Sequence, residues 1–318
     1  MGGAPEQLRA AEFSSLIFRL EFLDDFHLTE EALLRMRRDL RQAARSALDM
    51  EPGGRERLAL LFEPPLSSDP VALRRFQRPG PPFVIHPPGC GFPHDFEMGD
   101  QLELPVLFWG NGRHLVEAFA KALRALGPVG FHRGQGLFDL VAVEAVASGG
   151  EKVRIWDEGQ RIGRWVLPIQ DALWWLEVQD DLAENVAMDF VTPARVMSQG
   201  RPLFRASFSQ IFPFLLRRVT SMLFAHCDLE VVSDSSPLLA SARQVEVLES
   251  TLAWRDWRVL GEGVKEQDLG GLAGSMILGA KSLGEVDWVL RLASLFNIGK
   301  GAAYGAGHFS LSGRSASR

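Results

Sequence analysis

The feature that most constrains the fold is a glycine-rich motif that occurs twice in the chain. The pattern G-x-G-x-F-x-L is found at residues 134–140 and again at residues 305–311. In both places apolar residues at helical spacing precede the glycines, and alternating apolar and polar residues follow them. Each copy therefore predicts a helix, a glycine-rich loop and a final strand. Because the copies lie far apart, they indicate two similar folding units rather than a short-period repeat.

The order of the predicted elements supports this division. Strands of the first half are predicted at residues 14–22, 82–88, 101–109 and 137–146. With the two helices between them they follow the order βαββαβ, which is typical of a ferredoxin-like split βαβ unit. The second half approximately repeats this order, with a strand at residues 185–192 and helices at about residues 207–227 and 237–253. We predict an α+β protein with two tandem ferredoxin-like (RRM-like) domains, at residues 1–149 and 150–318, the second with a glycine-rich loop at residues 299–307.

Length and composition fit this expectation. A chain of 318 residues with 46% hydrophobic residues can build two cores of ordinary size. The two cysteines, Cys90 and Cys227, form no C-x-x-C pair, which suits a reducing cytoplasm. The sequence shows neither a secretory signal pattern nor an uninterrupted apolar stretch that could span a membrane. The net charge of −6 argues against a general polyanion binder, so nucleic-acid binding would depend on local basic patches.

One such patch lies on the first predicted helix. Thr29 is a plausible N-cap, and apolar residues at helical spacing predict a buried stripe through about residue 48. Arg38, Arg41 and Arg45 share another flank of the helix, which could bind phosphate or could simply be solvated.

The glycine-rich loops are a second candidate. Glycines can adopt positive φ and let the backbone approach a ligand, and exposed N–H groups in such loops can bind phosphate. The alternative is a tight structural connection. The terminal loop contributes Gly299, Lys300, Gly301, Gly305, Gly307 and His308, and the first loop contributes His132 and Arg133.

Four blocks in the second half carry a family resemblance: DFVTPARV (189–196), LLRRVTSML (215–223), LGGLAGSMIL (269–278) and IGKGAAYGAGHFSL (298–311). In order and spacing they resemble the CRISPR-associated repeat-processing endoribonucleases of the RAMP superfamily, and residues 82–311 fit the family as a whole. The resemblance implies tandem ferredoxin-like domains, glycine-rich loops that face RNA, and metal-independent cleavage of precursor CRISPR RNA within its repeats. Many relatives carry a cysteine cluster that is absent here, so no zinc site is expected.

The implied chemistry uses the ribose 2′-hydroxyl as an internal nucleophile and leaves a 2′,3′-cyclic phosphate. It needs a base, an acid and cations to stabilise the charged phosphorane, but no metal or other cofactor. His27 lies just before the basic helix, where the family has its catalytic histidine, and is the first candidate, with Arg41 and Lys300 as catalytic cations. Arg38, Arg45, His132, Arg133, the four terminal glycines and His308 are expected to bind RNA. Unpaired bases could stack on Phe131, Trp254, Trp257 or Tyr304.

Two other interpretations remain open. A RAMP protein without catalytic activity could bind crRNA as a subunit of an effector complex, with the same fold and loops. A protein-interaction module could have kept the fold and lost RNA binding, and the acidic net charge favours this version. The expected partners are CRISPR repeat RNA or crRNA and other CRISPR effector subunits, with no membrane.

Overall fold

The computed structural model describes residues 3–65, 79–179, 184–198, 200–255 and 270–314. Its α-helices are α1 (Glu30–Leu48), α2 (Gly54–Phe62), α3 (Val116–Leu126), α4 (Ala172–Glu177), α5 (Phe208–Cys227), α6 (Ser236–Ala242), α7 (Ala280–Leu283) and α8 (Asp287–Phe296). Short 3₁₀ turns lie at Glu6–Ala10, Gly110–Leu115, Gly127–Val129 and Gly284–Val286. Among the described residues, no helix is long and apolar enough to cross a membrane.

The strands of the first half are β1 (Glu12–Phe22), β2 (Phe26–Leu28), β3 (Phe83–Ile85), β4 (His94–Phe96), β5 (Gln101–Trp109), β6 (Phe138–Val146), β7 (Lys152–Asp157) and β8 (Gln170–Asp171). The first sheet has the antiparallel order β3-β5-β1-β6-β7, and β8 also pairs with β1. Helices α1 and α3 pack together against this sheet through a shared apolar core. The order is that of the predicted ferredoxin-like unit.

The strands of the second half are β9 (Asn185–Ala194), β10 (Met197–Ser198), β11 (Arg201–Pro202), β12 (Val247–Ser250), β13 (Ala253–Arg255), β14 (Gly271–Gly279) and β15 (Phe309–Arg314). The second sheet has the order β12-β14-β9-β15, with β13 also paired to β14. The same topology thus occurs twice, which confirms the predicted α+β class with ferredoxin-like folds.

Two details refine the sequence analysis. The helix predicted at about residues 237–253 was too long, because α6 ends at Ala242 and the following residues pair with β14 as β12 and β13. The boundary between residues 149 and 150 stays a prediction. Strand β7, just beyond it, pairs with β6 in the first sheet.

Helix α1 shows how the local sequence builds the first unit. Thr29 has an extended backbone, and its side-chain oxygen accepts a hydrogen bond from the Ala32 N–H at 3.2 Å, which caps the helix. Glu30 and Glu31 stand in the positive first turn. Seven buried residues form the apolar stripe: Ala32, Leu33, Met36, Leu40, Ala43, Ala44 and Leu48.

The two units are joined by aromatic packing. Trp109, at the end of β5, stacks on Phe13 with ring centroids 4.6 Å apart and lies 4.2 Å from the ring of Phe296 in α8. All three rings are fully buried. The second core therefore extends onto the first sheet, and the units share apolar surface.

Candidate functional site

His27 lies on a short two-stranded sheet just before α1. The neighbours Phe26 and Leu28 are buried, so the strand alternation directs His27 outward, where its side chain is 58% exposed. In the antiparallel register His27 faces Asp95, and its Nδ1 lies 2.6 Å from Asp95 Oδ1. A carboxylate at Nδ1 favours the tautomer with the proton on that nitrogen, which leaves Nε2 able to accept a proton.

The basic flank of α1 divides into paired and unpaired arginines. Arg41 forms an ion pair with Glu63, and Arg35 forms one with Glu31 at 3.0 Å. Arg38 and Arg45 are exposed and form no ion pair with any described residue. Arg38 and Arg45 can thus bind a phosphate without giving up a carboxylate, whereas Arg41 would have to leave Glu63.

The first glycine-rich loop packs beside His27. A β-carbon added at Gly136 would lie 2.7 Å from the Phe26 ring, and Phe131 lies 5.7 Å from the same ring. The tip is a tight turn closed by hydrogen bonds between His132 and Gln135. The tip residue Arg133 is exposed and has a left-handed backbone with φ 52°.

His132 in this loop lies against α1. Burial lowers the pKa of His132, and the charge of Arg133 acts in the same direction. The charges of Glu31 and Asp39 oppose this shift. The His132 ring is therefore close enough to α1 to interact with the charges of this helix.

The terminal glycine-rich loop has a different environment. Gly305 and Gly307 are buried, although the resemblance implied that they face RNA. A β-carbon on Gly305 would lie 3.0 Å from Leu33 Cδ2 of α1, and one on Gly307 would lie 2.0 Å from the carbonyl oxygen of Ile298. Gly305 therefore belongs to the contact between the units, and Gly307 to the close packing within its own loop.

His308 is also turned inward. Its ring lies 4.6 Å from the ring of His86 on the first unit, and its Nδ1 lies 2.9 Å from Asn297 Oδ1. The buried Asn297 amide donates to the carbonyls of Ile85 and Ala302. Burial lowers the pKa of His308 to about 3, with His86 acting in the same direction, and burial lowers the pKa of His86 to about 4. Both rings are therefore neutral at physiological pH and support the contact between the units.

The outer part of the terminal loop remains accessible. Gly299 and Lys300 are exposed and Gly301 is half-buried. The Lys300 N–H donates to the carbonyl of Arg195 at 3.0 Å, which fixes the backbone, while the side chain has no ion-pair partner among the described residues.

The aromatic residues that were considered for base stacking differ in their exposure. Phe131 and Tyr304 are buried in the protein core, with Arg37 Cζ 5.4 Å from the centroid of the Tyr304 ring. Trp254 is half-buried and contacts Phe204. Trp257 lies outside the described residues.

Two acidic residues near this site were missed by the sequence analysis. Asp95 pairs with His27 although the two residues are 68 positions apart in the sequence, and no local sequence pattern predicts that pairing. Burial raises the pKa of the Glu30 carboxyl to about 7, although the charge of Arg255 opposes the shift. Over the described ranges, no group of three or more His, Cys, Asp or Glu residues could hold a metal ion.

The structure thus places the first loop, with His132 and Arg133, beside Phe26 of β2, next to His27. Arg38 and Arg45 lie farther along α1. Gly305 and His308 lie in the contact between the units. An exposed histidine that is oriented by a carboxylate can act in proton transfer.

Comparison with known proteins matches both halves of the chain. Residues 188–309 match the family model of the CRISPR-associated endoribonuclease Cas6. Residues 55–166 match a model described as an N-terminal domain. No curated protein sequence matches the chain.

Solved structures share the fold over nearly the whole chain. A partial Cas6-RT-Cas1–Cas2 complex superimposes with a TM-score of 0.56 and 14% identity over 97% of this chain and 47% of that one. Thermus thermophilus Cas6 superimposes with a TM-score of 0.51 and 15% identity over 95% of this chain and 98% of that one. A Cas6 product complex superimposes with a TM-score of 0.51 and 18% identity over 94% of this chain and 98% of that one. The chain spans less than half the length of the Cas6-RT-Cas1 chains that it matches.

Two ferredoxin-like units with a terminal glycine-rich loop give the chain the fold of the Cas6 structures that it matches. Residues 188–309 also match the Cas6 family model, which supports the CRISPR Cas6/RAMP-type resemblance of the sequence.

Proposed function

We propose that this protein is a metal-independent endoribonuclease that binds CRISPR repeat RNA and cleaves precursor crRNA to crRNA. The observation that carries the proposal is the exposed His27–Asp95 pair just before α1, a helix whose exposed flank carries Arg38 and Arg45. The family model and the shared fold support RNA processing as the reaction class.

In the proposed step, His27 Nε2 removes the proton from a ribose 2′-hydroxyl. The 2′-oxygen then forms a bond to the adjacent phosphorus, and the bond from phosphorus to the 5′-oxygen breaks. The leaving oxygen takes a proton from an acid, and the product carries a 2′,3′-cyclic phosphate. Asp95 holds the imidazole in the required tautomer and stabilises the imidazolium that forms.

The exposed cations would hold the RNA. Arg38 and Arg45 on α1, Arg133 in the first loop and Lys300 in the terminal loop lie on exposed parts of the described structure. Phosphate contacts from such side chains provide affinity and register, and they make binding sensitive to salt. We further propose that the protein works with other CRISPR subunits, since one matched structure contains Cas6, RT, Cas1 and Cas2.

The test is single-turnover cleavage of a labelled CRISPR repeat RNA in excess chelator. We expect His27→Ala to lower the rate by about a hundredfold or more, as for loss of a general base, while RNA binding is retained. Asp95→Asn should give a smaller loss, and His114→Ala, which removes another exposed histidine, should cleave normally. A His27→Ala protein that cleaves at the wild-type rate would disprove the assignment.

Two other results would overturn the proposal. Loss of cleavage in chelator that magnesium restores would exclude the metal-independent mechanism. Tight repeat binding by the wild-type protein without any cleavage would favour the inactive effector subunit instead.

A further inference from the structure

Phe204 is an exposed aromatic residue that packing alone does not explain. It lies between β11 and α5, and it is 61% exposed. Most large apolar side chains of this segment are enclosed, including Phe208 and Phe212 in the first turns of α5. An aromatic ring left in water at a fixed position is a candidate contact surface.

Trp254 supports the Phe204 ring from behind. The ring centroids lie 5.5 Å apart in an edge-to-face arrangement. The backbone N–H of Trp254 donates a hydrogen bond to the backbone carbonyl of Phe204 at 2.9 Å. A β-carbon at Gly270 would lie 2.9 Å from Trp254 Nε1, so the indole packs closely on a backbone that has no side chain. In an edge-to-face pair one ring keeps its faces free, and the more exposed ring here is Phe204.

The charges around this pair are positive. Arg205 follows Phe204 directly, Arg201 is three residues before it, and Arg255 follows Trp254. All three are exposed, and neither Arg201 nor Arg205 forms an ion pair with a described residue. Arg255 acts on the carboxyl of Glu30 at the start of α1, three residues after His27. Arg255 is therefore within electrostatic range of the first turn of α1.

We propose that Phe204, supported by Trp254 and flanked by Arg201, Arg205 and Arg255, is a stacking subsite for an unpaired RNA base. A base stacks on an aromatic face whatever its sequence, and arginines beside the ring neutralise the flanking phosphates. An apolar protein partner would gain little from three arginines around one ring. The inference rests on the proposed RNA-binding function and extends it to single-stranded RNA.

The test measures binding of labelled single-stranded oligo(A) of about ten nucleotides, a length within the usual range for such sites, and of a duplex RNA of equal length. We expect Phe204→Leu to weaken oligo(A) binding about tenfold, because base stacking on one aromatic ring is typically of that strength. Phe204→Tyr should bind like the wild type, since the ring remains. Duplex binding should not change. Met98→Ala removes another exposed apolar side chain, 72% exposed, and serves as the matched control.

The outcomes show whether the stacking subsite alone is wrong or whether the proposed RNA-binding function is wrong as well. If Phe204→Leu binds oligo(A) as the wild type does while Arg38→Ala binds it more weakly, the protein binds RNA but this subsite is wrong, and the aromatic pair serves a protein partner. If the wild-type protein binds neither oligo(A) nor a labelled CRISPR repeat RNA, both the subsite and the proposed function fail. Thermal unfolding of each variant checks the fold, which a surface substitution should leave intact.

Discussion

The two glycine-rich loops share one sequence motif and have opposite environments. In the first, the tip residues Arg133, Gly134 and Gln135 are exposed, beside α1. In the second, residues 302–307 are buried, with Gly305 against α1 of the first unit, and only Gly299 and Lys300 are exposed. Glycine is needed in both, but for different physical reasons.

The two loops differ in the space that is available for a side chain at their glycines. Gly134 has φ +77°, and an added β-carbon would have nothing within 4 Å. Gly307 has φ +65°, and an added β-carbon would lie 2.0 Å from the Ile298 carbonyl oxygen. The first glycine serves backbone conformation alone, whereas the second also permits close packing of two chain segments.

The largest expected effect comes from filling the buried loop. Gly307→Val adds a β-branched side chain at positive φ and against a backbone carbonyl that cannot move aside. We expect a loss of about 4 kcal/mol or more in the free energy of unfolding, in the range reserved for severe core disruption. Urea or thermal unfolding of the purified variant measures it, with failure to obtain soluble protein as the extreme case.

Gly134→Ala is the matched control in the first loop. It should cost about 1 kcal/mol, since only the left-handed backbone disfavours the new side chain. If the two variants were equally stable, the contrast between the loops would be wrong.

The second expected effect is a pH dependence of stability from the buried His86–His308 contact. Burial holds the folded pKa values at about 4 and about 3, below the usual 6.5. The unfolded chain therefore binds more protons, so the stabilisation is complete above pH 6.5 and is lost as pH falls toward 4. We therefore expect at most about 1 kcal/mol per pH unit from each histidine.

Unfolding measured between pH 7 and 5 tests this. His308→Gln should reduce the pH slope, and His132→Gln in the first loop should reduce it less, because nearby carboxylates offset part of its shift. His226, whose pKa burial also lowers to about 4, contributes to the slope in all variants. Identical slopes for wild type and His308→Gln would contradict the assignment of His308 to the contact between the units.

The topology could largely be predicted from the sequence because it depends on local periodicity. The repeated motif and the alternating strands predicted two βαββαβ units, and the sheets have that order. The exception is the helix that was predicted at about residues 237–253. Residues 247–255 contain apolar residues that also fit a helix, and only their pairing with β14 makes them strands.

The site could be predicted only in part, because its geometry depends on contacts between distant residues. The sequence pointed to His27 as a candidate because this residue lies just before a basic helix. Its partner Asp95 depends on the β2–β4 pairing, and the enclosure of His308 depends on His86 from the other unit. The glycine pattern is the same in both loops, so it could not reveal which loop the other unit covers.

The smallest expected effect concerns the one cation that each loop exposes. Arg133→Ala and Lys300→Ala leave the loop backbones unchanged, since each residue keeps a β-carbon. If both tips contact phosphate in the same RNA, each variant should bind repeat RNA several-fold more weakly. Each should also lower the slope of log affinity against log salt by about one, and the double variant by about two. Filter binding at several salt concentrations gives these slopes. An unchanged slope for Lys300→Ala beside a reduced one for Arg133→Ala would make the terminal loop purely a contact between the units, and would assign RNA contact to the first loop alone.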